Sequence, residues 1–531
     1  MSTRCKKILV LLLSLAVISS VFFLFAGRKE GFFIDDIYTY GLSNSYYAPF
    51  VTDLKDGDMT DKVFTREELT EYLTVGEDDA FAFDSVFYNQ GRDVHPPLYY
   101  CFFHLLSSLL PPHVFSVWTG LLLNYVFLLL ALLTLWKLSE LLFDSVSVSA
   151  CAILLYALSV MGLSTTLIIR MYTLLTLETL LLALLVTLLI KKKARWQYPA
   201  VALTILVGML TQYYFVFFAF FLCLSYVIYA LIHKEYKSML IFSGCALAGV
   251  AGLLLVFPAF LTQVSADVLV SGGSAIDNLL DTSQYAARLA FYIKDSLHRM
   301  KGIAYTAAAA AVVLLILFGR VRTAVREKRL DFTAVYLILP AFAAFFLIAL
   351  ISPVLELRYV YCLIPMFALA AAGLLHMLET VLDGSRALRI ALPILVAALS
   401  LWEARCLPPD WLFDEYSEYD ALLLRHPDAQ CVYIDDNYYS PIMFDMEQLL
   451  IFDDLLVTND PASEAMLQYI GSAPETVVFI DISKDWASGY DSEKILPKLT
   501  ESTGYTVITP LYSNGFSDVY LLSRENVLSS D

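Results

Sequence analysis

Apolar runs long enough to cross a bilayer recur from the N-terminus to about residue 404, and no other feature of the sequence limits its fold so tightly. A helix crosses the hydrocarbon core in about 20 residues. Such runs fall at about 7–27, 114–142, 145–168, 171–190, 198–212, 214–232, 238–262, 302–319, 332–351, 358–377 and 387–404. With 59% of 531 residues hydrophobic, the chain is expected to be a polytopic α-helical membrane protein with about eleven spans. The first run lacks a small-residue cleavage site and is near span length, so it reads as an uncleaved helix and not a signal peptide.

Five basic clusters set the expected orientation: "RCKK" (4–7), "KKKAR" (191–195), "HKEYK" (233–237), "RVRTAVREKR" (320–329) and "RALR" (386–389). Positive charge marks the cytoplasmic side, which places the N-terminus inside and the end of the last span outside. The segment "HPPLYYCFFHLLSSLLPP" (95–112) is short and bracketed by prolines. Counting it as a span would invert every later loop, so it is expected to be an interfacial helix on the outer face. The 198–232 stretch must cross twice for its flanking basic loops to share a side, and "TQYYF" (211–215) is the place to turn.

Acidic charge is concentrated beyond the last run. From Cys406 onward there are 23 Asp/Glu against 5 Lys/Arg, a local balance of −18 in a chain whose total is −17. No basic face suits nucleic acid. The tail, 405–531, alternates short β-branched and aromatic runs ("CVYID", "LLIFD", "TVVFIDIS", "YTVITPLY", "DVYLLSR") with helix-like stretches such as "EAMLQYI". That pattern predicts an extracytoplasmic α/β domain without a Gly-rich phosphate loop. The eight cysteines show no CxxC pairing and read as packing residues.

Four stretches on the expected outer side carry chemistry. "FFIDDIYTY" (32–40) sets Asp35 beside Asp36 in the first outer loop, about 28–113. The plain reading is interfacial charge; adjacent residues of a regular backbone cannot both point into one small site. "GRDVHPPLYY" (91–100) puts Asp93 and His95 on one side of an extended stretch. "IIRMYTLLTLE" (168–178) offers Arg170 and Tyr172 at a helix mouth, and "SPVLELRYVYCLIP" (352–365) offers Glu356, Arg358 and Tyr359 at another. Interfacial anchoring explains each alone. Two guanidiniums at outer mouths, however, suit an anionic ligand such as a phosphate, and ionisable groups at that depth are functional suspects. Glu178, His104 and His113 carry less weight.

Taken together, "IDDIYTY", "DVHPPLYY", "IIRMYTL" and "ELRYVYCLIP" resemble the motifs of the GT-C superfamily of membrane glycosyltransferases. The nearest group holds the protein O-mannosyltransferases, the lipid A aminoarabinose transferase and the RgtA/B/C/D-like enzymes. The resemblance covers roughly residues 1–380. It departs in one place, since the usual Asp-Glu pair is Asp-Asp here.

The resemblance implies a GT-C-like transferase module at 1–404. It would transfer a sugar, with inversion, from a polyprenyl-phosphate donor to a glycan, lipid or protein acceptor of the cell envelope. Asp35 would be the catalytic base with Asp36 in support, and Arg358, then Arg170, would bind the donor phosphate. Asp93, His95, Tyr172, Glu356 and Tyr359 would position substrates. A divalent cation is used in some branches, and Asp35, Asp36 and Asp93 could hold one. The competing reading is a transporter or flippase of lipid-linked saccharides, against which stand the one-sided ionisable residues and the appended domain.

Overall fold

The structure, a computed structural model, describes residues 3–263, 275–435, 441–483 and 490–524. Residues 264–274, between two of the expected spans, and parts of the tail lie outside it. The chain divides into two compact units. A helical unit comprises 1–27, 93–99 and 121–410, and an α/β unit comprises 28–92, 100–120 and 411–531.

Each expected apolar run is helical, in one piece or more. Among the described residues, seven helices are long and apolar enough to span a membrane: Arg4–Ala26, Val117–Phe143, Tyr172–Lys192, Phe215–Ile232, Tyr236–Val256, Leu357–Val381 and Arg386–Cys406. Gln197–Thr211 and Val335–Ile351 are shorter apolar helices. Tyr172–Lys192 is the central rod, with 83% of its apolar window buried, which is why its sequence is apolar on every side. The 198–232 stretch breaks between Thr211 and Phe215, where "TQYYF" predicts a turn. Leu98–Leu109 starts directly after Pro96-Pro97 and has 12 residues, about 18 Å, too short to cross.

Of the remaining two expected spans, one is broken and the other starts from a sharp turn, for identifiable reasons. The 145–168 run is two helices, Val146–Ala157 and Val160–Leu167, meeting at 60°. The Ser159 side chain accepts from Gly162 N and caps the second one. Position 162 must be glycine, because a Cβ there would sit 2.0 Å from the Tyr156 carbonyl oxygen. Lys301–Ile316 follows the amphipathic helix Tyr285–Arg299 after an 88° turn. Its free N-terminal amides are met by one carboxylate from the last span: Glu403 accepts from Lys301 N at 2.7 Å and Gly302 N at 2.6 Å, which answers the donors that a helix start leaves unpaired.

In the α/β unit, the helix Ile34–Asn44 follows the first span. A six-stranded sheet runs in the order β1-β3-β2-β4-β6-β5, with β1 Lys62–Thr65, β2 Gln430–Ile434, β3 Asp454–Thr458, β4 Glu475–Asp481, β5 Val507–Ser513 and β6 Ser517–Ser523. Strands β3, β2 and β4 are parallel, and the others pair antiparallel. Helices Glu464–Ile470 and Ser492–Thr503 cover one face, around Val432, Ile434, Leu456, Val478 and Leu499.

Two details differ from expectation. "LLIFD" (449–453) is not a strand. Leu449 ends the short helix Met446–Leu449 and Phe452 turns back to it through Phe452 N and Leu449 O. The adjacent "DLLVT" forms β3, where four consecutive side chains are buried, as expected of a strand covered on both faces. The second difference is β1, which comes from the first loop and pairs with β3. Phe64 of β1 is fully buried, with the Lys55 ammonium 4.9 Å from its ring centre. Phe64→Ala is expected to destabilise the α/β unit by about 3–5 kcal/mol. Thermal unfolding in detergent checks this, and an unchanged midpoint would mean that β1 contributes nothing to the unit.

Candidate active site

The first-loop acid pair sits in the opening turn of Ile34–Asn44, where helix dipole and free amides favour carboxylates. The two aspartates have different surroundings. Asp36 is fully buried; its Oδ2 accepts from Phe33 N at 3.0 Å and from Lys29 Nζ at 2.9 Å, and neither partner of that ion pair is exposed. Lys29 also donates to the Trp411 carbonyl at 2.9 Å and lies 5.0 Å from the centre of the Phe413 ring. Burial pulls the Lys29 ammonium below its usual range, opposed by the charge and hydrogen bond of Asp36. Removing one partner of such a pair leaves a buried charge unmatched, at a cost of about 3–5 kcal/mol. Asp35, by contrast, is only half-buried. Its backbone carbonyl accepts from Thr39 at 3.0 Å.

Beside Lys29, still within the α/β unit, is a cavity of about 240 Å³ lined by Glu30, Phe32, Phe115, Ser116 and Glu447 among others. The Glu447 Oε2 is buried there without a hydrogen-bond partner. Burial, reinforced by the Asp420 carboxylate and partly offset by Lys29, pushes the Glu447 carboxyl up to about 8.

In the helical unit the structure brings Asp93, His95 and Arg170 into one chain of hydrogen bonds. Asp93 Oδ2 lies 2.8 Å from His95 Nδ1, and Arg170 Nη2 lies 3.3 Å from His95 Nε2. A guanidinium can only donate, so Nε2 is the acceptor and the ring proton sits on Nδ1, facing Asp93. Burial alone would raise the Asp93 carboxyl, but the His95 ring and the Arg170 charge outweigh it and hold it below the usual range. Arg170 is 3% exposed. Its turn is fixed by Asn124, which donates to the carbonyls of Thr166 and Ile168 at 3.1 and 2.7 Å and accepts from Tyr99.

Glu356, Arg358 and Tyr359 form a second group in the same unit. Glu356 Oε2 and Arg358 Nε are 2.5 Å apart, with the arginine side chain 10% exposed. Tyr359 stacks on Tyr214, ring centres 5.0 Å apart. The neighbouring Tyr213 donates to Gln263, whose amide donates to the Asp93 carbonyl at 2.7 Å. The turn at 211–215 thus joins the two groups. Tyr172 is buried edge-to-face against Tyr361, 6.0 Å between centres.

Several residues of this arrangement carried no motif. Lys29 is one; the adjacent cations Arg28 and Lys29 just past the first span, on the side where positive charge is scarce, were the available signal. Arg288 and Tyr292 are others. Arg288 donates to the Ala349 carbonyl and to Ser352, while Tyr292 donates to Ser352 Oγ at 2.8 Å and the Glu356 carbonyl at 2.9 Å. They hold the turn that presents Glu356 and Arg358. A metal fits less well. Among the described residues no three His, Cys, Asp or Glu side chains are placed to hold an ion, and Asp36 is already committed to Lys29.

No protein-family model matches the sequence, and no curated protein matches it. Solved structures do. ArnT from Cupriavidus metallidurans bound to undecaprenyl phosphate aligns over 100% of both chains with a TM-score of 0.54 at 10% identity. The apo state of the same protein aligns over 98% of both with a TM-score of 0.53, also at 10% identity. The chain therefore has the GT-C membrane-protein fold that its motifs implied.

Glu447 generates a pH prediction. In the folded chain its carboxyl stays protonated up to about 8, whereas in the unfolded chain it ionises near 4.3. The folded state binds more protons between those values, so stability falls as pH rises through that window. The thermal midpoint is expected to drop between about pH 5 and pH 8, and Glu447→Gln should flatten the drop. An equal drop in the variant would assign it elsewhere.

Proposed function

We propose that this protein transfers a sugar from a polyprenyl-phosphate donor to an acceptor, with inversion at the anomeric carbon. The observation that carries the reading is that Arg170 is 3% exposed and the Arg358 side chain 10% exposed within a mainly apolar helical unit. Withdrawing a guanidinium from water is costly even beside a partner, and a departing lipid phosphate gives both of them a use. A protein of this fold binds undecaprenyl phosphate, which supports that class of donor.

In the proposed reaction the acceptor's oxygen or nitrogen attacks the anomeric carbon from the face opposite the phosphate. The new bond forms as the carbon–oxygen bond to phosphate breaks, with its electron pair leaving on the phosphate oxygen. The acceptor's proton passes to Asp35, general-base help worth about 10²–10⁴-fold. Arg358, assisted by Arg170, stabilises charge that grows on the phosphate, where fixed electrostatics contribute most. Glu356 pairs with Arg358 Nε and so orients the guanidinium, whose planar fork suits phosphate oxygens. Asp93 and His95 fix Arg170 and help to position the sugar, with Tyr172 and Tyr359 shaping the walls.

The orientation belongs to the same proposal. The helices that follow the five basic clusters' order in the chain leave an even number of spans between any two clusters, so all five fall on the cytoplasmic side. Residues 1–404 then form the transferase module, and 405–531 an outer domain that borrows one strand from the first loop.

Asp35→Asn is expected to lower transfer in membranes supplied with a polyprenyl-phosphate sugar by about 10²–10⁴-fold without loss of protein; full activity would remove Asp35 as base. Arg358→Ala should raise the apparent KM for donor more than for acceptor, and an unchanged donor KM would contradict the phosphate role. A reporter fused after residue 404 should read as external, and a cytoplasmic signal would overturn the orientation.

A further inference from the structure

We infer that Lys29 is a positioning residue for the acid pair, and that the tail acts on the reaction through it. The inference rests on the proposed transferase reading and assigns the tail a part in it.

Among the described residues Lys29 contacts Asp36, the Trp411 carbonyl and the Phe413 ring, which come from two distant parts of the chain. Asp36 belongs to the helix that carries Asp35, while the Trp411 carbonyl and the Phe413 ring belong to the segment that opens the tail. That segment is held in an unusual conformation: Trp411 and Phe413 both have positive φ, 73° and 56°, a region that non-glycine residues enter only when their surroundings impose it. It is pinned from several sides. Glu30 N donates to the Leu412 carbonyl at 2.8 Å, and Phe33 packs on Trp411 with ring centres 4.7 Å apart. Gly31 allows Tyr416 to approach so closely that a Cβ would lie 2.6 Å from its ring. Every one of these contacts converges on residues 29–36.

A buried cation serving only to neutralise Asp36 needs no such cage. What the cage adds is direction. It locks the carboxylate of Asp36 to a fixed ammonium and so fixes the first helical turn. Asp35, the adjacent residue on that turn, is left half-buried at a set angle. Misplacing a reacting group by about 1 Å can cost about 10²-fold, which is the scale on which a fixed turn matters. Glu447, the other carboxylate acting on Lys29, comes from the tail as well.

The test uses the full-length protein in detergent or nanodiscs with a polyprenyl-phosphate sugar, comparing Lys29→Met, Asp36→Asn, the double variant and Asp35→Asn. Each single change at the pair should lower kcat by about 10²-fold, with KM for donor and acceptor within about threefold of wild type. The double variant replaces the ion pair by a neutral one, and should regain kcat to within about tenfold of wild type together with its thermal midpoint. Wild-type kcat in Lys29→Met overturns the inference. So does a double variant that regains its midpoint but stays as slow as Asp36→Asn, since Asp36 would then act on substrate directly. If Lys29→Met does not fold, the double variant alone decides between these outcomes. Asp35→Asn separates the two levels: its full activity refutes the base assignment, while wild-type kcat in Lys29→Met refutes only the positioning role.

Discussion

A lysine and an aspartate buried together, neither exposed to water, anchor the α/β unit at the point where the chain leaves the first apolar helix. Such a pair is poor value as pure stabilisation, because desolvating two ions consumes most of what their attraction returns. Its worth lies in specifying geometry. Lys29 can satisfy Asp36, the Trp411 carbonyl and the Phe413 ring only if the first loop and the start of the tail adopt one mutual arrangement, and β1 beside β3 fixes the same arrangement from the sheet side. Two segments about 380 residues apart in sequence thereby behave as one folded element.

The helical unit solves a different problem with the same means. Its ionisable groups are held by one another and by the turns between helices. Asp93 orients His95, His95 accepts from Arg170, and the turn at 211–215 ties this line to Tyr359 and so to the Glu356–Arg358 pair. Breaks in the apolar rods follow the same logic, with Ser159 and Glu403 satisfying helix starts that lipid could not. In an apolar bundle a polar group is stable only where its partner is already in place. A preorganised set of donors is also what transition-state stabilisation requires.

How much of this was legible in the sequence depends on the range of the interaction. Helix positions were readable because an apolar run of bilayer length has few alternatives, and the turn at "TQYYF" followed from charge parity. The strands at 430–434 and 475–481 were readable from their β-branched character. The sequence misled at 449–453, where two neighbouring apolar runs compete and only tertiary burial decides that "DLLVT" enters the sheet. The role of Lys29 was illegible for a related reason, although its charge was visible. Its importance lies in partners at 36, 411 and 413, and no local pattern announces a contact of that span. The same holds for Arg288, whose partners are the Ala349 and Ser352 carbonyls and the Ser352 hydroxyl. Motifs indicated which residues carry charge; the fold supplied what holds them.

The proposal is that Arg170, Arg358 and Asp35 serve the cleavage of a lipid-phosphate sugar. Following purified protein in nanodiscs with an undecaprenyl-phosphate-linked sugar by mass spectrometry and NMR tests it most directly. The account predicts one polyprenyl phosphate released for each glycoside formed, the new bond having the opposite anomeric configuration. Passage of the lipid-linked sugar across the bilayer with its phosphate bond intact, or a product of retained configuration, would contradict it.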